Sequence, residues 1–133
     1  MREILFRGKC VGEDHIYEWV DGYYVCMRDS YKKRETHRIY TGYAESDCGD
    51  FYGDWYEVDP KTVGQFTGLL DIDGQRIFEG DIVEIVGEAK EMITEEEQKF
   101  IVKWQDEDCG FKFFCWFDYK VVGNIYDNPE VLE

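Results

Sequence analysis

The chain has 133 residues, of which 17% are aromatic, and its formal net charge is −15 at pH 7. This length suits one domain with a real hydrophobic core, and the aromatic content favours strands over a helical bundle. The negative charge repels phosphate groups, which makes free nucleic acid and anionic membranes poor default partners.

Hydropathy and cysteine usage both bear on where the protein is located. No apolar run approaches the length of a membrane span, and MREILFRGK lacks the apolar centre of a signal peptide, so we expect a cytoplasmic protein. An odd number of cysteines without any Cys-x-x-Cys pair argues against a disulfide framework and a zinc ribbon. We therefore expect reduced thiols at Cys10, Cys26, Cys48, Cys109 and Cys115.

In the first half of the chain, REILFRGK reads as a strand. Asp21-Gly22 separates the apolar runs IYEWV and YYVCM, a pattern typical of a β-hairpin with its turn at those two residues. The segment RDSYKKRETHR has no apolar periodicity and is predicted to be an exposed loop. RIYTGY and WYEVD follow as strands, the second ended by Asp59-Pro60.

In the second half, turn residues are denser. VGQFTGLLD reads as short extended segments, and Asp73-Gly74 predicts a tight turn before QRIF. Gly80 predicts a positive φ ahead of DIVEIV, a strand whose apolar residues lie on both faces. GEAKEMITEEEQK is a polar connection with room for one helical turn, and the remaining predicted strands are FIVKW, FKFFCWF and VVGNIY.

Many short strands, glycine turns and no long helix predict an all-β fold of short antiparallel strands with little helix. The order of strands after Gly80 favours an SH3-like small barrel in the C-terminal half. We expect residues 1–133 to form a single domain, with a subdivision into a β-meander at 1–61 and the SH3-like barrel at 62–133.

Three stretches of the chain resemble, in the same order, the signature stretches of the YopX-like proteins of Gram-positive phages and prophages. They are REILFRGK, VDPKTVGQFTGLLDIDGQRIFEGDIV and VVGNIYDNPEVL. The resemblance implies a phage-type protein inside a bacterial host, with an SH3-type barrel component. It implies no activity and no catalytic residue, since the function of that family is unknown.

Two acidic turns of the sequence have the residue types of a metal site. Asp71, Asp73 and Gly74 imitate the start of a calcium-binding loop, but the required spacing to a third Asp and a later Glu is not met. A structural turn is the preferred interpretation. Residues 106–108, which are Asp-Glu-Asp, read as a hairpin tip, with a weakly bound divalent ion as the alternative.

Thiol chemistry has a similarly weak basis. A zinc or thiol site would need Cys48 and Cys109 brought together, with His15 or His37 as an additional ligand, and nothing in their spacing requires it. No Cys-His signature of a nucleophilic enzyme and no phosphate-binding glycine motif is present. We therefore expect no cofactor, no metal and no catalytic residue.

Residues 28–38 are rich in lysine and arginine, in contrast to the acidic remainder of the chain, and they include Tyr31. These residues could contact phosphate or a partner, and the alternative is a solvated loop that pairs with carboxylates of this chain or of another subunit. The aromatic residues elsewhere are a second candidate stacking surface, although core packing explains most of them. The candidate contact residues are Arg28, Tyr31, Lys32, Lys33, Arg34 and Arg38.

The leading hypothesis is a protein-protein interaction or regulatory module without catalysis, which binds a host or phage protein through exposed loops and acidic strand faces. The second is a nucleic-acid-related role, either through the basic segment 28–38 or through an acidic surface that mimics DNA. The third is a metal-binding or hydrolase-like protein that uses the acidic turns. Exposed edge strands would also allow a homo-oligomer.

Overall fold

The structure is a computed structural model, and it describes residues 4–12, 18–31, 33–41, 44–45, 51–52, 54–105, 110–111 and 117–132. Its contacts divide the chain into two units, Met1–Gln65 and Phe66–Glu133. Antiparallel strands dominate each unit, and the helices of the described residues are short 3-10 segments. The predicted all-β fold is therefore confirmed.

The first unit is built on a sheet of antiparallel strands. Their bounds are β1 Phe6–Lys9, β2 Trp19–Asp29, β3 Arg34–Tyr40, β4 Ala44–Glu45, β5 Phe51–Tyr52 and β6 Trp55–Glu57. The strand order in this sheet is β6-β3-β2-β1, and Gly64 and Gln65 pair with the free edge of β1. Strands β4 and β5 pair with each other in a separate two-stranded ribbon. A 3-10 helix at Pro60–Thr62 follows β6, where Asp59 caps it by accepting the Lys61 N–H at 3.0 Å.

One face of this sheet carries the core of the first unit. Because side chains alternate along a strand, every second residue of β2 and β3 lies on the core side of the sheet, where Val20 and Ile39 are buried while Cys26 and Glu35, nearer the hairpin turn, are exposed. The buried centre is Cys10, Val20, Ile39 and Val58, with Phe6, Tyr24, Tyr56 and Val63 packed around it.

The predicted hairpin turn at Asp21-Gly22 is wrong, because β2 runs straight through both residues. Asp21 lies opposite Arg7, and Gly22 lies opposite Phe6. A Cβ atom on Gly22 would lie 2.1 Å from the carbonyl oxygen of Tyr40. The glycine therefore allows a close approach of backbone to backbone inside the sheet, which is the other role of glycine in strands.

The hairpin turn of this region lies between Asp29 and Arg34, so the prediction that residues 28–38 form one loop is also wrong. Arg28 and Asp29 belong to β2, and β3 begins at Arg34, which pairs directly with Asp29. Lys33, in the turn, has a φ of 53°. The segment lacks apolar periodicity because this end of the hairpin is exposed on both faces at Arg28, Arg34 and Glu35.

The second unit contains the remainder of a strand that begins at Gly64, together with six further strands. Their bounds are β7 Gly64–Leu70, β8 Arg76–Phe78, β9 Asp81–Val86, β10 Lys99–Ile101, β11 Trp104–Gln105, β12 Gly110–Phe111 and β13 Asp118–Asn124. β7 pairs with β8, β11 pairs with β12, and a three-stranded sheet has the order β10-β9-β13. The polar connection after β9 holds two 3-10 helices, Glu88–Met92 and Glu95–Glu97, and a third ends the unit at Pro129–Leu132.

The glycine turns of the second unit and the burial of its central strand are as predicted from the sequence. Gly74 and Gly80 have φ values of 81° and 92°, as their turns require. β9 is buried on both faces, since Ile82 and Val83 are inaccessible although they point in opposite directions. The core of this unit is Ile77, Val83, Ile85, Val102 and Tyr119.

The SH3-like barrel expected at 62–133 is not confirmed, since no sheet among the described residues closes on itself. Most of the predicted strand FKFFCWF lies outside the described residues. None of the helices in the described ranges combines the length and the apolar content needed to cross a bilayer.

Candidate functional site

An exposed apolar surface lies on the face of the first unit's sheet that is turned away from its core. Tyr23, Val25 and Met27 alternate with core-facing residues along β2, and their exposed fractions are 52%, 36% and 41%. Trp55 on β6 is 45% exposed. We call the surface formed by Tyr23, Val25, Met27, Arg38 and Trp55 the outer face.

Arg38 lies at the centre of the outer face because it is paired with Val25 across the strands. Its guanidinium carbon is 3.9 Å from the centroid of the Trp55 ring, a cation-π contact, and its Nη1 is 3.8 Å from the Met27 sulfur. Such a contact is worth about 0.5–1 kcal/mol at an exposed site. The Arg38 guanidinium therefore contacts both the Trp55 indole ring and the Met27 thioether, which joins these two apolar side chains across the sheet.

The other basic residues do not form one cationic patch with Arg38, although Arg34 shares its face of β3. Arg34 forms an ion pair with Glu57 on β6, with Nη1 3.0 Å from Oε1. Arg28 lies two residues after Cys26 on β2 and therefore belongs to the opposite face. Tyr31, 97% exposed, and Lys33 lie in the turn, while Lys32 falls outside the described residues.

The opposite face of the same hairpin brings together three side chains that could bind a metal ion. Cys26 and His37 are direct partners across β2 and β3, and Glu35 lies two residues before His37 on the same face. One ligand atom of each lies within 4.8 Å of the others. This group is not predicted from the sequence, because a hairpin turn at residues 21–22 does not place Cys26 opposite His37. The observed turn between Asp29 and Arg34 does.

The acidic turn at Asp71 is a structural cap. Asp71 is 7% exposed, its Oδ1 accepts the N–H groups of Asp73 and Gln75 at 2.9 Å each, and its Oδ2 accepts the Val121 N–H at 3.1 Å. Burial alone would raise the pKa of the Asp71 carboxyl, but these three backbone donors and the charge of Lys120 lower it below its ordinary value. Both oxygens of the Asp71 carboxylate therefore accept hydrogen bonds from backbone N–H groups of the second unit.

A polar cavity of about 610 Å³ lies beside the 3-10 helices of the second unit. Lys90 Nζ donates to Glu84 Oε1 at 2.8 Å in its wall, and this hydrogen bond lowers the pKa of the Glu84 carboxyl. Glu95, Gln98 and Lys99 also line it. Counted over the whole lining, glutamates outnumber lysines, so the wall is formally negative, and Lys90 is already paired with Glu84.

Several candidates from the sequence lie outside the described residues. They are the acidic tip at 106–108 and the cysteine-histidine candidates Cys48, Cys109 and His15. Of that second group only His37 is described, and its neighbours are Cys26 and Glu35.

The family is decided by the match of the whole chain. A family model described as YopX protein matches residues 6–133. The chain belongs to the YopX family. The resemblance drawn from the three sequence stretches is thereby confirmed, and YopX membership assigns neither an activity nor a catalytic residue.

A solved structure has a fold similar to that of this chain. The chain is similar to a crystal structure of protein EF1440 from Enterococcus faecalis, with a TM-score of 0.59, 21% identity and 100% of both chains covered. At this identity the likeness shows the fold alone. No curated protein matches the chain.

Proposed function

We propose that this YopX-family protein is an interaction module without catalysis of its own, and that it binds a partner protein through the outer face. The observation that carries the proposal is the group of exposed apolar side chains, Tyr23, Val25, Met27 and Trp55, arranged around the stacked Arg38. Contiguous exposed apolar surface on a single chain is uncommon unless it is used for binding.

The five residues of the outer face are of types found at the centre of protein interfaces, and the Arg34–Glu57 ion pair lies beside them on the same face. Aromatic residues, methionine and arginine are enriched at such centres, whereas lysine and glutamate are depleted. Met27 adds an adaptable side chain that can repack against different partner surfaces. Because Arg38 is already held by Trp55 and Met27, little side-chain entropy is lost when a partner covers it.

A nucleic-acid role is the second candidate, and the turn of the β2-β3 hairpin is the observation that favours it. Tyr31 is almost fully exposed there, and the exposed cations Arg28 and Lys33 lie within three residues of it in the chain. An exposed ring with cations nearby can stack on a base while the cations contact phosphate. The net charge of −15 opposes this role by long-range repulsion. We therefore place it second, together with the acidic DNA-mimic alternative.

The proposal is tested by affinity capture from a bacterial lysate with the wild-type chain and two outer-face variants, Met27→Glu and Trp55→Ala. Met92→Glu is the matched control, because Met92 is 83% exposed and lies in the other unit. The captured proteins are identified by mass spectrometry. We expect a specific protein to be retained by the wild type and by Met92→Glu, and to be lost from both outer-face variants.

Nuclease treatment separates this result from the second candidate. A partner that survives nuclease but is lost with Met27→Glu supports the interaction module, and a DNA-binding partner of that kind would favour the mimic. Retention of the partner by both outer-face variants would overturn the role of this surface. Loss of all partners on nuclease treatment, together with salt-sensitive binding that weakens when Lys33 is neutralised, would establish the nucleic-acid role instead.

A further inference from the structure

We infer that Cys26, Glu35 and His37 form a site for a divalent transition-metal ion, with Zn²⁺ as the best match. The site lies on the face of the β2-β3 hairpin opposite to the outer face. It is separate from the acidic turns weighed as metal sites in the sequence, and it does not depend on the proposed interaction role.

The strand register places the three ligands. Cys26 and His37 are opposite each other, and Glu35 precedes His37 by the two residues that return a strand to the same face. Their nearest ligand atoms all lie within 4.8 Å of one another. In a tetrahedral zinc site with bonds of about 2.0–2.3 Å, ligand atoms are about 3.3–3.8 Å apart, so rotamer changes of about 1 Å would close this group around an ion.

The donor set selects the class of metal. A thiolate, an imidazole and a carboxylate suit Zn²⁺ and related transition metals, whereas Ca²⁺ and Mg²⁺ prefer oxygen ligands alone. Cys26 and Glu35 are exposed and His37 is half-buried, which leaves a fourth position open to water. An ion can therefore enter the site without opening the core of the unit.

The surroundings of His37 hold its ring in place. The Tyr24 hydroxyl and His37 Nδ1 share a hydrogen bond, and the two rings stack with their centroids 5.9 Å apart at an interplanar angle of 13°. Metal-binding histidines are commonly oriented by a hydrogen bond of this kind.

The test uses Co²⁺ as a spectroscopic substitute for Zn²⁺ on the reduced full-length chain. Thiolate coordination produces a charge-transfer absorption that water or carboxylate ligands do not produce, so the spectrum reports the Cys26 ligand directly. We expect this band in the wild type, its loss in Cys26→Ser, and at least tenfold weaker binding in His37→Gln. Added Zn²⁺ should displace Co²⁺ and remove the band.

The matched controls are His15→Gln and Cys48→Ser, which remove the other histidine and another cysteine and should keep the band. A second measurement follows unfolding, since an ion that binds only the folded chain must raise the melting temperature. Zn²⁺ should raise it in the wild type and leave it unchanged in Cys26→Ser. A wild type without the band, or a band that persists in Cys26→Ser, would overturn the site.

Discussion

The carboxylate of Asp71 connects a turn to a strand fifty residues away in the sequence. It accepts hydrogen bonds from Asp73 and Gln75 within the turn and from Val121 on β13. Asp73 and Gly74 occupy the tip of this turn, where Gly74 supplies the positive φ. The sequence predicted the turn from Asp73-Gly74, but the long-range bond to Val121 could not be read from local residues.

Replacing Asp71 with Asn should destabilise the fold by about 1–3 kcal/mol at pH 7, the cost of leaving a buried donor without an acceptor. One amide oxygen can still serve Asp73 and Gln75, but the amide nitrogen would face the Val121 N–H. The measurement is urea unfolding of wild type and Asp71→Asn. Asp73→Asn is the control, because the Asp73 side chain is exposed in the same turn and its loss should change stability little.

The same carboxylate gives a pH dependence of known sign. Its pKa in the fold is below the ordinary value of 3.8, so its stabilisation is fully present above 3.8 and is lost as the pH falls through the lower folded value. The stability difference between wild type and Asp71→Asn should therefore shrink below about pH 4. A difference that stays constant down to pH 2 would contradict this account.

At the scale of the element, the passage of β2 through Asp21-Gly22 depends on the space beside Gly22. Gly22→Ala should destabilise the first unit by about 1–3 kcal/mol, because the new Cβ would meet the Tyr40 carbonyl oxygen and force β2 and β3 apart. Gly12→Ala is the control, since Gly12 has a positive φ of 103° but nothing within 4 Å of its Cβ position. Thermal unfolding of the two variants separates the contact with Tyr40 from simple backbone strain, and equal losses would argue against it.

The β2-β3 hairpin also shows what local sequence could and could not predict. Asp-Gly between apolar runs is typical of a turn, yet pairing with β1 on one side and β3 on the other keeps β2 extended. Because the turn was predicted at the wrong position, neither the outer face nor the pairing of Cys26 with His37 was predicted. The candidate residues Arg34 and Arg38 have partners on β6, Glu57 and Trp55, and no local pattern in the sequence connects β6 to them.

At the scale of the whole chain, the second half was easier to predict than the first. Its turns depend on single residues such as Gly74 and Gly80, whose positive φ values are a local property. Its central strand was recognised because a continuous Val and Ile run is typical of burial on both faces. Closure of a barrel, in contrast, depends on pairing between distant edges, and the expected closure is not seen in the described strands.

The net charge of −15 makes a last prediction about the whole molecule, because folding brings 30 carboxylates and only 15 cations closer together. Added salt should screen this repulsion, since the Debye length falls to about 10 Å at 0.1 M ionic strength. Salt also weakens exposed ion pairs such as Arg34–Glu57, but each of these contributes only about 0–1 kcal/mol. Screening of the repulsion among the excess carboxylates should outweigh the weakening of these ion pairs, so the melting temperature should rise steadily with NaCl.

The measurement is thermal unfolding at pH 7 from about 20 mM to about 0.5 M NaCl, a range over which the screening length falls severalfold. KCl should give the same curve, because screening depends on ionic strength and not on the identity of the cation. The slope should diminish in acid, where protonated carboxylates bring the net charge towards zero. A melting temperature that falls with salt would mean that ion pairs contribute more to this fold than its repulsion costs, and that the surplus carboxylates are spaced too widely on the folded surface to oppose folding.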